Sequence, residues 1–170
     1  MTGEEAGLAP AALRADSHRA FDAAVGRWYA PLVRRLVLVL GSEGDAEDVA
    51  QEACLRAYRA WGRFDGADER AWLYTIALRL AFDHLRSRRR WLGRVAHPTA
   101  DGAYRDQVDP DLWAALARLE PRVRAALLAS VLDGYTQREI GHMLDVPEGT
   151  VASWLSRAKA SLREELQGPR

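Results

Sequence analysis

Residues 135–166, YTQREIGHMLDVPEGTVASWLSRAKASLREEL, carry two helix-start signals close together, and a tight pair of helices is the strongest constraint on the fold. Thr136 can cap the first helix while Glu139, three residues on, reaches back to the free amide of the cap, which is the spacing of a capping box. Ile140, Met143 and Leu144 give that helix an apolar edge, and small Gly141 lets another helix approach closely. Pro147 suits the first position of a second helix. There Val151, Leu155, Ala158, Leu162 and Leu166 recur at helical spacing and predict one buried stripe. Glu148, Ser153, Ser156, Arg157 and Arg163 face away from it. A helix showing small hydroxyls and guanidiniums near its start is shaped to enter a major groove. The same pattern also suits a solvated face on a helical hairpin.

The preceding chain reads as further helices. Residues 1–16 lack a sustained period and predict a flexible tail. From Ser17 to Leu40 an apolar pattern runs through Phe21, Val25, Trp28, Tyr29, Leu32, Val33, Leu36 and Val37, with Pro31 expected to kink or divide it and Gly41 to end it. Asp45 is expected to open the next helix, with Ala46, Val49, Ala50, Ala53, Ala57 and Trp61 inward. Its other face gathers Asp48, Glu52, Leu55, Arg56 and Arg59. A large aliphatic side chain among charges fits a docking surface, or a solvated face held by the Glu52 and Arg56 pair.

Gly62 and Gly66 bracket a loop containing Arg63, Phe64 and Asp65, after which Asp68 caps a third helix running to about Trp91. Leu73, Ile76, Ala77 and Leu80 form its core stripe, while Thr75, Arg79, Phe82 and Arg86 line another side and lead into Arg88, Arg89 and Arg90. Basic side chains beside aromatics can hold phosphates and stack unpaired bases, and cations equally favour a helix C-terminus. Residues 93–109 read as a flexible linker. Pro110 and Pro121 start two more helices, the second stopped by Gly134. No segment sustains strand alternation, so the expected fold is all-α: two small helical domains, residues 17–92 and 110–168, joined by that linker.

Composition removes several classes of function. The 24 basic and 24 acidic residues cancel, so binding to nucleic acid requires charge segregation, and an acid-only run of Glu43, Asp45, Glu47, Asp48 and Glu52 does precede a basic run of Arg86, Arg88, Arg89, Arg90 and Arg94. The lone Cys54 excludes an internal disulfide and reads as a small buried hydrophobe. His18, His84, His97 and His142 lack metal-ligand spacing, and His84 is expected in the core. No nucleophile with a base, phosphate-cradling glycine loop or metal cluster points to an enzyme, a cofactor or a metal. The acidic start is unlike a signal peptide, and the longest apolar run, Leu36 to Leu40, is too short for membrane insertion, so a cytoplasmic protein is expected.

In combination, three blocks carry a resemblance: residues 45–52 (DAEDVAQE), residues 70–73 (RAWL) with 83–86 (DHLR), and residues 146–151 (VPEGTV). In order and spacing they resemble a bacterial RNA polymerase sigma factor of the extracytoplasmic-function (ECF) group, the kind that keeps only regions 2 and 4 of the sigma-70 family. The resemblance covers roughly residues 18–92 and 111–166. It implies docking of region 2 on the clamp of the largest subunit of core RNA polymerase through Asp45, Asp48, Gln51, Glu52, Leu55 and Arg59. It implies minus-ten promoter DNA contacts from Arg63, Phe64, Asp65, Thr75, Arg79, Phe82, Arg86 and Arg89. It also implies minus-thirty-five contacts from Glu148, Thr150, Ser153, Ser156, Arg157 and Lys159, with region 4 on the flap of the second-largest subunit, and an anti-sigma factor as a further partner. The chain departs from the family at Ala152 and Trp154, where Lys and Arg are common, and at Leu78 and Arg79, where Arg and Asn are common. The alternative reading is a helix-turn-helix regulator that acts without joining the polymerase.

Overall fold

In the computed structural model, residues 11–92 and 108–167 are described. Among them stand seven α-helices and no strand: α1 (Ala11–Leu40), α2 (Glu43–Ala60), α3 (Glu69–Leu92), α4 (Pro110–Arg118), α5 (Pro121–Val131), α6 (Gln137–Leu144) and α7 (Glu148–Gln167), with a 3-10 turn at Trp61–Arg63. The linker assigned to residues 93–109 lies outside this description except for its last two positions, and the tail is described only from Ala11.

Helix α1 begins at Ala11, six residues ahead of the expected Ser17 start, and continues past Pro31 to Leu40. A proline ring removes one backbone donor but does not stop a helix whose apolar face is packed, and Leu32, Val33, Leu36 and Val37 following it are buried. Gly41 takes φ +78°, the left-handed value that ends a helix. Helix α2 starts earlier than expected, with Ser42 rather than Asp45 at its cap: the Ser42 hydroxyl accepts from the Asp45 amide at 3.2 Å. Its inner face is nearly all alanine, with Ala46, Ala50, Ala53 and Ala57 fully buried, so α1 and α3 can lie close against it. The Asp68 carboxylate caps α3 through the Ala71 amide at 2.9 Å, as expected.

In the second half, Asp109 and Glu120 carboxylates accept from the first free amides of α4 and α5, with Pro110 and Pro121 at the first helical positions. The capping box at Thr136 and Glu139 is present in both directions. Asp145 ends α6 at φ 54°, and its amide donates to the Gly141 carbonyl. At Gly141 an added Cβ would sit 2.8 Å from the Val146 carbonyl oxygen, so glycine here lets the turn fold back on α6. Pro147 stands one residue before α7, and its carbonyl accepts from the Thr150 and Val151 amides. Val151, Leu155 and Ala158 are buried, whereas Leu166 is 47% exposed, so the stripe ends before it.

The two halves pack on each other. Helix α3 lies against α5 and α6, and α1 against α5, so one continuous apolar cluster runs through both halves.

Candidate nucleic-acid and polymerase interface

Helix α2 presents Asp48, Gln51, Leu55 and Arg59 on the side opposite its buried alanines, with Glu52 at the edge of that surface. Leu55 is 52% exposed, and the Glu52 carboxylate accepts from Arg56 Nε at 2.7 Å, which leaves Leu55 unpaired between charges. Asp45 departs from the expected group. It turns toward α3, where Oδ2 accepts from Arg88 Nη1 at 3.0 Å and lies 3.4 Å from His84 Nε2. One cation of the basic run is thereby folded back onto α2. His84 is half-buried rather than in the core, and its Nε2 makes no well-aligned hydrogen bond to Asp45 or any other group.

The loop after α2 is stiffened by aromatics. Phe64 stacks on Trp61 with centroids 5.1 Å apart, and Trp72 lies 5.1 Å from Phe64 and 5.8 Å from Trp61, so the three rings form one cluster. Phe21 adds an edge contact to Trp61 at 5.2 Å. Arg63 and Asp65 flank Phe64 and are exposed, with the Asp65 carboxylate accepting from the Ala67 amide. On α3, Arg79, Arg86 and Arg89 are exposed and half-buried Thr75 donates to the Ala71 carbonyl. Arg86 also pairs with Asp83.

Phe82 is a correction. It was expected to stack unpaired bases, but its ring is 8% exposed and the Arg122 guanidinium already lies over it at 5.3 Å. A ring covered by a cation from the other half has no free face in this arrangement.

On α7, Glu148, Ser153, Ser156 and Arg157 are exposed and Thr150 is half-buried. Ser153, Ser156 and Arg157 form a continuous polar strip opposite Val151, Leu155 and Ala158. Arg157 is tethered only through Nε to the Ser153 carbonyl at 3.4 Å, so its guanidinium is free to leave. Lys159 departs from the strip: with Arg163 and Leu162 it lines a groove of about 560 Å³ between α1, α4, α5 and α7. Trp154 is partly buried against the core instead of standing in the strip.

Other charged residues make contacts that the sequence reading does not anticipate. Arg35 and Arg70 contact Asp133 and Tyr135 across the two halves. Burial works against the charge on Arg70, but the Tyr135 hydroxyl and the Asp133 and Asp68 carboxylates outweigh it and raise its pKa. Arg124 is 2% exposed, and its Nε and Nη1 make no hydrogen bond. Desolvation lowers its pKa to about 10 despite the nearby Glu120 carboxylate. One signal was available: Arg124 precedes Leu128 and Val131 by four and seven positions, so it sits on an apolar helical face. Burial likewise raises the Cys54 thiol pKa, which makes it a poor nucleophile.

Comparison with known proteins finds one family for both halves of the chain. Residues 25–91 match the family Sigma-70 region 2, and residues 110–162 match Sigma-70, region 4. The chain is 34% identical over 156 residues to the ECF RNA polymerase sigma factor SigE of Mycolicibacterium smegmatis, covering 82% of this chain and 59% of SigE. It is 30% identical over 168 residues to the RNA polymerase sigma-H factor of Pseudomonas aeruginosa, covering 88% and 87% of the two chains. Its fold resembles the sigma factor RpoE of Bartonella quintana, solved in complex with the anti-sigma factor NepR, with TM-score 0.75 and 24% identity over 89% of this chain and 99% of that one. The chain therefore belongs to the extracytoplasmic-function RNA polymerase sigma factors of the sigma-70 family, non-enzymatic initiation factors that bind core polymerase and promoter DNA.

Proposed function

We propose that this chain joins core polymerase through the exposed face of α2 and divides promoter recognition between its two halves. Asp48, Gln51, Glu52, Leu55 and Arg59 form the docking surface on the clamp, an apolar residue within a charged ring. Arg63, Phe64 and Asp65, braced on Trp61 and Trp72, receive the unpaired minus-ten strand, with Arg79, Arg86 and Arg89 along its phosphates. Helix α7 enters the major groove at the minus-thirty-five element with Glu148, Thr150, Ser153, Ser156 and Arg157. Such a protein works in the cytoplasm, beside DNA and polymerase. No described helix is long and apolar enough to cross a membrane.

The observation that carries this reading is the polar strip on α7, held out by a turn that only glycine at position 141 admits. The groove between α1, α4, α5 and α7 has an apolar floor including Leu112, Trp113, Leu127 and Leu128 and a basic rim of Arg34, Lys159 and Arg163. That chemistry suits an amphipathic acidic helix, either from an anti-sigma factor or from the polymerase flap. Lys159 then serves this rim in place of DNA. The test is promoter opening followed by a fluorescent base in the minus-ten strand: signal should rise only with core polymerase and this chain together. A rise with core polymerase alone, or none with both on a promoter bound by α7, contradicts the assignment.

A further inference from the structure

Trp154 sits on the border between the two faces of α7. Val151, three positions before it, and Ala158, four after it, are buried, whereas Thr150 and Arg157, four before and three after, lie along the edge of the polar strip. The indole is half-buried and packs against the apolar core. Among the described residues no acceptor meets its Nε1, and that atom is not enclosed by them, so a hydrogen-bond donor stands open to solvent on a ring that is otherwise held. Cations are scarce on the same face. Among the described residues of α7, Arg157 is the cation of the strip, because Lys159 and Arg163 line the groove, and Glu148 and Glu164 add acidic charge near its ends. A duplex carries one negative charge per about 1.7 Å of axis, so a helix seated there with one cation needs neutral donors to hold phosphates.

We propose that Trp154 is a phosphate-contacting residue of α7: its indole N–H donates to a backbone phosphate oxygen beside the minus-thirty-five element and sets the depth and register of the helix in the major groove. The proposal rests on the sigma factor reading. The donor is neutral, so the contact releases no condensed counterion, and a phosphate carries no sequence information. Its value lies in position. The ring has two side-chain torsions and is already packed, so little conformational freedom is lost when DNA arrives. Ser153 and Arg157 are its neighbours on the strip, and their reach to base edges depends on where this contact stops the helix.

The test uses the full chain bound to core polymerase and a fluorescent promoter duplex, taken from a start mapped with this protein, that includes the minus-thirty-five element and ends before the minus-ten element. Trp154→Phe keeps a ring against the core and removes the N–H, so affinity should fall by about tenfold while the slope of log affinity against log salt stays unchanged. Trp154→Arg exchanges the neutral donor for a cation on a stem that can lie along the core, so it should bind well at low salt and steepen that slope by about 0.9. Methylphosphonates placed one at a time along both strands should reveal one position that weakens the parent and leaves Trp154→Phe unaffected. Circular dichroism checks that each variant keeps its helices. Equal affinity of the parent and Trp154→Phe overturns the contact, and so does a loss in Trp154→Phe with every methylphosphonate weakening both proteins alike. In either case a parent complex that still prefers promoter to scrambled duplex keeps the sigma factor reading. A parent complex that binds the two duplexes equally overturns that reading and the contact together.

Discussion

Arg35 and Asp133 stand 98 positions apart in the chain and meet through two hydrogen bonds of 3.0 and 3.2 Å. The pair ties α1 to the turn between α5 and α6, and with Arg70 and Tyr135 it fixes how the two halves face one another. In this arrangement the Asp48 and Leu55 face of α2 and the polar strip of α7 are open while the Phe82 ring is closed.

Reversing the charge of the α2 face should weaken assembly. Asp48→Lys with Glu52→Lys places like charges against any basic clamp surface, and such juxtaposition costs several kcal/mol, so core-polymerase affinity should fall by about tenfold or more. Both side chains lie away from the buried alanines, so the helices should survive. Fluorescence anisotropy with labelled protein gives the affinity. An unchanged value in the folded double variant removes α2 as the docking surface.

The α7 strip separates reading from folding. Arg157→Ala should cost about 1 to 3 kcal/mol on the preferred duplex and relax discrimination at one position if the guanidinium grips a base edge. A contact to phosphate would weaken every sequence alike. Val151→Asp should instead unfold the second half, because Val151 is fully buried and a carboxylate there has no partner. A library of minus-thirty-five duplexes, with circular dichroism beside it, distinguishes the two. Wild-type binding of every duplex by Arg157→Ala takes the helix out of the groove.

Local devices were legible in the sequence because they are written within a few residues. The capping box of Thr136 and Glu139, the Asp68 cap, the prolines opening α4 and α5, and exposed Leu55 all follow from spacing. What escaped depends on partners far along the chain. Phe82 reads as a stacking ring until Arg122 is found over it, and Asp45 reads as a docking acid until Arg88 is found beside it. Position within a helical face also decided Lys159: its spacing from Ser153 and Arg157 takes it off their strip and onto the groove with Leu162. The start of α1 was misjudged because residues 11–16 lack a strong apolar period, although they continue a helix whose later turns are packed.

Buried Arg124 should be a net burden on stability. Its charged form is disfavoured by desolvation, with a folded pKa of about 10 below its ordinary value, so that penalty is present in full at neutral pH and is relieved only as pH rises through that value. Arg124→Met keeps the length and removes the unpaired donors, so it should leave stability unchanged or raise it by about 1 to 4 kcal/mol. Urea denaturation reads this directly. A loss of more than about 2 kcal/mol would mean that the guanidinium holds a buried partner.

Acid should loosen the start of α6. The Glu139 carboxylate accepts from the Thr136 hydroxyl and from its amide, both at 2.7 Å, and these bonds, the hydroxyl first, hold its pKa below the usual range. A folded pKa below the unfolded one gives stability that is full above the ordinary carboxylate range and is lost as pH falls through the lowered value. The stability difference between wild type and Glu139→Gln should therefore shrink on acidification, while Thr136→Ala should cost about 0.5 to 2 kcal/mol at neutral pH. Carboxyl NMR of Glu139 provides the check. A midpoint at or above the ordinary glutamate value contradicts the capping geometry.

The central claim is that this chain gives core polymerase a promoter preference. Core RNA polymerase transcribing genomic DNA in vitro, with and without the protein and with 5′ ends mapped, measures it most directly. A discrete set of starts should appear only when the protein is added, share sequence at both upstream elements, and disappear with the Asp48→Lys and Glu52→Lys double variant. If the protein binds DNA yet produces no new starts, or changes only starts that core polymerase already made, the sigma factor assignment is contradicted and a helix-turn-helix regulator takes its place.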